Sequence, residues 1–487
     1  MDKYLLFKEF KMKKIVTLIL LGFVFKVNAQ TISAEDRKVI IEQLRKEIMD
    51  SLKISDFSNS TQMISFSKPG IIAEKEPFTW GDFTWIQGNN RQTKSLLDSK
   101  YFTGGVTIDC NYNYSFNRPV DHTNSGSTAT FRSNEFNISY IEAGGELHEP
   151  KSGVRAKLML QFGTRATGIP RNDNTPLRGQ FDLYNALRYV TEGYAGIHLK
   201  KMYGVNIDFG IFKSYVGLLS YNNFENWNYQ PSYTSDNTPW FFTGGRVQIF
   251  PTDRLKVELW LVNGWQTYGM FNEMPGVGYQ VMWRPKEWVS VLSSSYVGWD
   301  TPNNKSRMRF HTDNSAIMRY YNQRSAKFIS KAAVSLTADL GFENGGGVKP
   351  FNGDAKTPAQ NFLSAMVYNR LWFGPKQQWA WTIGGGVISN PGRYLALLPA
   401  GNGVVTQNPG DKFNGWDAST CIQFMPSEFI TFGVEFVTRH TDIPYFSGRG
   451  GVTSSNGWNA PIGSSTGFVA DLVKDENRFI FSSIFRF

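Results

Sequence analysis

The sequence predicts an all-β fold: a transmembrane antiparallel β-barrel of about sixteen strands, preceded by a short periplasmic helix. Three observations predict it. Residues from about 99 onward fall into segments that alternate apolar and polar side chains. Short connections between these segments alternate with long ones. The chain closes on an aromatic strand ending in Phe487. Composition agrees, with 38 Phe, 21 Tyr, 14 Trp and 46 Gly under a mean hydropathy of −0.33. Rings and glycines without long apolar runs suit a wall whose strands show lipid and lumen alternately.

Residues 1–29 read as a signal peptide. Lys13 and Lys14 precede the apolar run Ile15 to Phe25, and Val27-Asn28-Ala29 gives a small-residue exit before Gln30. That arrangement of basic head, apolar middle and small exit marks a secretory leader. The run falls short of the ~20 residues a membrane-crossing helix needs, and Met12 is the expected start. Removing the leader takes away six Lys and two acids, lowering the net charge from +10 to +6. No Cys follows the exit, so no lipid-anchored terminus is expected. Cys110 and Cys421 fall on opposite faces of separate strands, which disulfide geometry does not tolerate.

Residues 30–98 form a helix and a periplasmic lead-in. Ser33 and Asp36 make a capping pair, and Ile41, Leu44, Ile48 and Leu52 repeat at helical spacing over 33–53. Such a helix, about 30 Å long, serves either as a trimerising coiled coil or as an amphipathic helix lying on its own barrel. Three heptads do not separate the two. The segment Phe78 to Ile86 falls outside the strand count, as a lead-in, a partial plug or an extra edge.

The barrel proper is assigned to residues 99–487. Val106, Ile108, Cys110, Tyr112 and Tyr114 alternate with Thr107, Asp109, Asn111 and Asn113. Val154–Phe162, Val205–Phe209, Leu255–Leu259 and Ile430–Phe436 repeat the pattern. In period two, all charges on one face make that face wet. Seven short connections are expected near 148–153, 200–204, 251–253, 285–287, 322–328, 374–377 and 426–428, several rich in Pro, Gly and Asp. Eight long loops lie between them, near 117–132, 166–188, 216–238, 265–276, 300–306, 343–360, 390–413 and 441–474. Seven turns and eight loops make sixteen strands with both ends on the short-turn side, which in bacterial barrels is periplasmic.

The terminal segment places Phe479, Phe481, Phe485 and Phe487 at alternating positions. Phe485 and Phe487 are the expected assembly signal, facing lipid, with Arg486 turned into the lumen. Closure is expected between 475–487 and 101–116.

Asp236 to Arg246, Val262-Asn-Gly-Trp-Gln266, Tyr296-Val-Gly-Trp-Asp300 and Phe78 to Ile86 resemble the OmpL-like β-barrel porins. The resemblance covers most of residues 75–487. It implies an outer-membrane pore and brings no catalytic residue. The expected partners are outer-membrane lipid and lipopolysaccharide, the barrel assembly machinery, and either a homotrimer or other envelope proteins. Neither nucleic acid nor a cofactor is expected.

No catalytic motif appears around His122, His148, His198, His311 or His440, so the chain is not expected to be an enzyme. His198 and His311 fall on predicted lumen faces as wall residues. Gly345–Gly347 is assigned to a loop and Gly384–Gly386 to a strand, where glycines relieve crowding or mark bends. Alternation turns eleven bases inward: Arg155, Lys157, Arg246, Lys256, Arg284, Arg307, Arg309, Arg319, Arg370, Arg439 and Arg486. It turns seven acids inward: Asp109, Glu135, Asp208, Glu258, Asp339, Asp417 and Glu435. The candidate pore lining is Arg155, Lys157, Arg246, Arg307, Arg309, Arg370, Arg439, Asp208, Glu258 and Glu435. Rings of charge set selectivity, so the surplus predicts weak anion preference unless the charges merely pair across the wall. Loop 216–238 either folds inward to narrow the pore or offers its rings to a neighbour. The function expected is passive diffusion of small hydrophilic solutes. The alternative is a non-conducting barrel that serves as a scaffold in an envelope assembly or export machine.

Overall fold

The computed structural model describes residues 96–487, apart from 128, 171–172, 174, 176–178, 355–357, 396–411 and 450–470. The expected leader, the helix over 33–53 and the segment 78–86 lie outside the described residues.

Sixteen long strands follow one another among the described residues. They are β1 (Phe102–Ser115), β2 (Phe136–His148), β3 (Val154–Phe162), β4 (Val190–Leu199), β5 (Val205–Lys213), β6 (Phe241–Thr252), β7 (Leu255–Val262) and β8 (Gly276–Lys286). The series continues with β9 (Val289–Gly298), β10 (Met308–Asn322), β11 (Ile329–Asn344), β12 (Asn361–Phe373), β13 (Trp379–Ser389), β14 (Asn414–Ser427), β15 (Ile430–Thr441) and β16 (Asp475–Arg486). Each pairs antiparallel with its neighbours in sequence, and β16 closes the sheet on β1 from Arg478 opposite Ser115 to Arg486 opposite Thr107. Phe487 extends the seam by exchanging backbone hydrogen bonds with Val106, at 2.8 and 3.1 Å. A closed sheet leaves no unpaired edge, which is the condition for strands to cross lipid.

Every expected short turn lies between the predicted strand pair, and every expected long loop on the other end. The faces also divide as the alternation requires. On β1, Thr107, Asp109, Asn111 and Asn113 are buried toward the interior, while Val106, Ile108, Cys110 and Tyr112 face outward. On β16, Phe479, Phe481 and Phe485 point out and Glu476, Arg478, Ile480, Ile484 and Arg486 point in. Cys110 and Cys421 are both free, one half-buried and one buried.

Seven strand pairings carry a register shift, and three of these irregularities bear on lumen charges. Opposite Asp109 and Cys110, β2 carries one extra residue, so Ser139 and Tyr140 both face inward and the parity flips beyond them. An extra residue on β4 turns Thr191 and Glu192 inward together. A third sits at Ser330 on β11, next to Lys331. A bulge re-aims every side chain that follows it.

Candidate functional site: the lumen and its inward loop

The third long loop, residues 214–240, fills much of the barrel interior. Its sequence is rich in rings and amides, which suits a segment that must pack and hydrogen-bond at the same time. Tyr229, Gln230, Tyr233 and Asp236 are each no more than 2 % exposed. Trp227 packs edge-on against Trp372, ring centroids 5.9 Å apart, beside Ile317, Met366 and Tyr368.

Wall charges hold the loop by its backbone. Glu435 accepts from the Tyr229 and Gln230 amides. Asp417 accepts from the Ser232 hydroxyl at 2.7 Å and the Tyr233 amide at 2.9 Å. Asp109 accepts from the Tyr229 hydroxyl at 2.6 Å and from Asn223 at 2.9 Å. Arg370 donates to the Trp227 carbonyl at 2.7 Å, and Arg439 to the Pro231 carbonyl and the Asp236 carboxylate, each at 3.0 Å. Arg478 donates to the Gln230 side chain at 3.0 Å. These wall residues span β1 and β12 to β16, so the loop lies along that side of the lumen. The first long loop, residues 116–135, packs with it: Ser127 and Thr130 donate to the Gln230 side chain, and Arg439 also reaches the Gly126 carbonyl.

One glycine of the Gly384–Gly386 run finds its reason here. A Cβ on Gly386 would stand 2.3 Å from the Ser232 hydroxyl. A bare strand lets the loop lie against the wall.

The opposite side, β2 to β8, carries a paired but wetter lining. Arg155 meets Asp208 at 3.2 Å and Glu146 at 3.8 Å, while Arg246 meets Asp208 at 2.8 Å. Lys157 pairs with Glu192 at 2.7 Å, Lys213 with Glu142 at 2.6 Å, and Lys256 with Glu258 at 2.9 Å. Tyr194, Phe212 and Trp260 surround the Arg246 guanidinium, the Phe212 centroid lying 4.6 Å away. Tyr194 stacks on Phe212.

At the long-loop mouth, Arg307 and Arg309 both grip Glu343, at 2.8 and 2.7 Å. Arg309 also lies 3.5 Å from Asp300, whose carboxyl burial pushes up while Arg309 pulls it back. Tyr394, Leu395, Phe413, Tyr445 and Phe446 form a fully buried apolar cluster at this end.

The candidate pore residues thus divide. Arg155, Lys157, Asp208, Arg246 and Glu258 line the wetter side, Arg370, Arg439 and Glu435 clamp the loop, and Arg307 and Arg309 tie the mouth. Glu135 sits in the first loop against Arg132 rather than on a strand. Arg284 is buried facing inward, Arg319 pairs with Glu287 at 2.8 Å, and Arg486 lies over the Phe224 ring.

The sequence tally missed several lumen charges. Glu142, Glu146 and Glu192 follow bulges that strict alternation does not anticipate, and Lys331 adjoins another. Asp313, Glu343, Glu476 and Arg478 keep the alternation and were legible from it. Lys213 ends its strand and reaches inward to Glu142. Six acids against three bases nearly cancel the basic surplus.

His198 bonds Asn206 at 2.8 Å, and His311 packs with Phe362 and Tyr394 as three near-parallel rings whose centroids lie 5.8 to 6.1 Å apart. Among the described residues, no three His, Cys, Asp or Glu side chains gather as metal ligands.

A closed sixteen-stranded barrel with an apolar exterior, a charged interior and an inward third loop defines the outer-membrane porin class. The chain matches the family described as "Putative beta-barrel porin-2, OmpL-like" over residues 101–487 and belongs to it. It is a porin-type protein of the outer membrane.

No curated protein matches the chain. Among solved structures it is similar to OprB of Pseudomonas putida, at 10% identity and TM-score 0.47, over 80% of this chain and 94% of that one. The channel DcaP of Acinetobacter baumannii is similar at 12% identity and TM-score 0.45, over 80% and 99%. An anion-selective porin from Comamonas acidovorans is similar at 9% identity and TM-score 0.43, over 79% and 99%. Nothing about solute choice passes from proteins so distant.

Proposed function

We propose that this protein lets small hydrophilic solutes diffuse passively along a path narrowed by the inward loop, with a weak preference for anions. The observation that carries this reading is the unequal lining of the lumen. Along β2 to β8 the basic heads keep contact with water, while the loop covers the other side. The two signs nearly balance, yet they do not lie at equal depth. Side-chain exposure is 26 % for Lys157, 18 % for Lys213 and 15 % for Arg155, against 4 % or less for Glu142, Asp208 and Glu258. A passing ion therefore meets ammonium and guanidinium groups over their buried counter-charges. Glu146, at 34 %, and Glu192, at 12 %, are the exceptions that keep the preference small.

The chain purified in detergent and inserted in a planar bilayer should give discrete conductance steps of small size. In a KCl gradient the reversal potential should fall slightly on the anion side. Clear cation preference would overturn the ion reading.

One observation favours a second reading, a non-conducting scaffold within an envelope assembly. Arg370, Arg439 and Arg478 are fully inaccessible behind the loop. Complete absence of steps in folded protein would select it. Assembly as a homotrimer is part of the proposal, checked by the mass of the detergent-solubilised complex.

A further inference from the structure

Tyr194 carries an unused donor on the wetter side of the lumen. Its ring stacks on Phe212, centroids 5.0 Å apart, and the residue is only 8 % exposed. The Arg155 guanidinium donates to its hydroxyl oxygen at 3.2 Å. Among the described residues, no acceptor takes the proton of that hydroxyl. A phenol that accepts from a guanidinium is itself a stronger donor, because hydrogen bonds in a chain polarise one another.

Cations gather around this donor. Lys157 stands directly opposite Tyr194 in the β3–β4 pairing, and such partners hold their Cβ atoms about 4.5–5.5 Å apart. Arg155 and Arg246 lie 5.5 and 5.2 Å from the centre of the Tyr194 ring. Among the described residues Lys157 pairs with Glu192 only, at 2.7 Å. An ammonium has further N–H groups to give, and those of Lys157 are left for water or a solute. Lys213 reaches the same Glu192 oxygen at 3.6 Å, but Glu142 and Asn222 occupy its other donors. It adds charge rather than a hydrogen bond.

The counter-charge is present and mostly sunk below. The bases Arg155, Lys157, Lys213 and Arg246 are matched by the acids Glu142, Glu146, Glu192 and Asp208. Asp208 and Glu142 keep 4 % or less of their side chains in water. Glu146 sits directly opposite Lys157 in the β2–β3 pairing and is the most exposed of the acids, so an anion arriving here meets it. A cluster that is neutral as a whole suits one negative charge better than two. Donors on two facing side chains suit an anion with two acceptor atoms, one for each.

We propose that Tyr194 and Lys157, backed by Arg155, form a subsite for a small, singly charged oxyanion of the carboxylate type. Lys157 and the Tyr194 hydroxyl donate to its oxygens, and hydrogen bonds of this charged kind are the strong ones. Arg155 and Arg246 add their field from either side of the ring. Glu146 turns away a doubly charged anion such as sulfate. As the step that selects solutes on a path, the subsite rests on the diffusion reading; the binding itself needs no current.

The full chain in detergent would be titrated with isotope-labelled sodium acetate at fixed ionic strength, and the width of the carboxyl resonance followed by NMR. Saturable broadening is expected, and sodium sulfate should displace it poorly. Tyr194→Phe keeps the stacked ring and loses only the hydroxyl, so acetate should bind about tenfold more weakly. Lys157→Gln should weaken it at least as much, and Glu146→Gln should tighten it several-fold. Should Lys157→Gln fail to fold, Tyr194→Phe decides alone. In a planar bilayer, acetate added to KCl should lower the wild-type current and leave that of Tyr194→Phe nearly unchanged. The proposal is overturned if acetate gives no saturable broadening, if Tyr194→Phe binds it like the wild type, or if sulfate binds as tightly. Saturable binding to a chain that passes no current would uphold the subsite and remove the diffusion reading instead.

Discussion

The two sides of the lumen are built from the same residue types and behave differently. Along β12 to β16, Arg370, Arg439 and Arg478 are fully buried, and their partners belong largely to loops drawn in from far along the chain. Along β3 to β7, Arg155, Lys157 and Arg246 pair with acids of neighbouring strands and keep 13 to 26 % of their side chains in water. A guanidinium aimed at a carbonyl becomes a fastening, while one laid over a carboxylate beside water stays a lining. Residue type alone does not separate the two; what reaches the residue does.

The strongest test of this contrast removes the filling. Replacing residues 221–236 with a short Gly-Ser link should raise single-channel conductance several-fold, because the covered side becomes wet. Unchanged conductance would mean the loop lies off the path and that the contrast has no functional meaning.

Next in size is an effect on biogenesis that leaves the contrast intact. Deleting Phe487 costs at most roughly 1.5–3 kcal/mol of apolar burial, too little to open sixteen strand pairs. Surface-exposed protein should fall several-fold, while the inserted fraction keeps its melting temperature. Wild-type surface levels would remove Phe485 and Phe487 as an assembly signal.

A finer test loosens one clamp. Glu435 accepts two loop amides, and hydrogen bonds to a charged group contribute about 1.5–3 kcal/mol each. Glu435→Ala should lower the melting temperature by a few degrees and make the current noisy, with brief larger openings. A quiet trace of wild-type size would show that the loop is held by its rings alone.

The smallest effect concerns the mouth. Arg307 and Arg309 share one carboxylate, so replacing both with Ala removes two positive charges and leaves Glu343 without them. The reversal potential should move toward cations by no more than a few millivolts, since both guanidiniums are drawn onto one carboxylate at the mouth rather than ranged along the path. The double change Arg155→Ala with Lys157→Ala, on the wetter side, should move it further. The reverse order would place the selective charges at the mouth.

Strand order, the turn-and-loop rhythm, the closure of β16 on β1 and the outward Phe479, Phe481 and Phe485 were all legible in the residues. Each rests on period-two alternation or on local turn chemistry, and a strand carries these wherever it goes. The sequence by itself also placed Arg155, Lys157 and Arg246 inside. It left loop 216–238 open between an inward and an outward role, and it turned no Glu142, Glu146 or Glu192 toward the lumen. Those were decided by the tertiary structure. A bulge forms because two strands register around it, as β2 does against Asp109 and Cys110. The loop's place depends on Glu435, some 205 residues from the amides it accepts. Alternation tells which way a side chain points; only the folded barrel brings it the partner that decides whether it lines a path or fastens a loop.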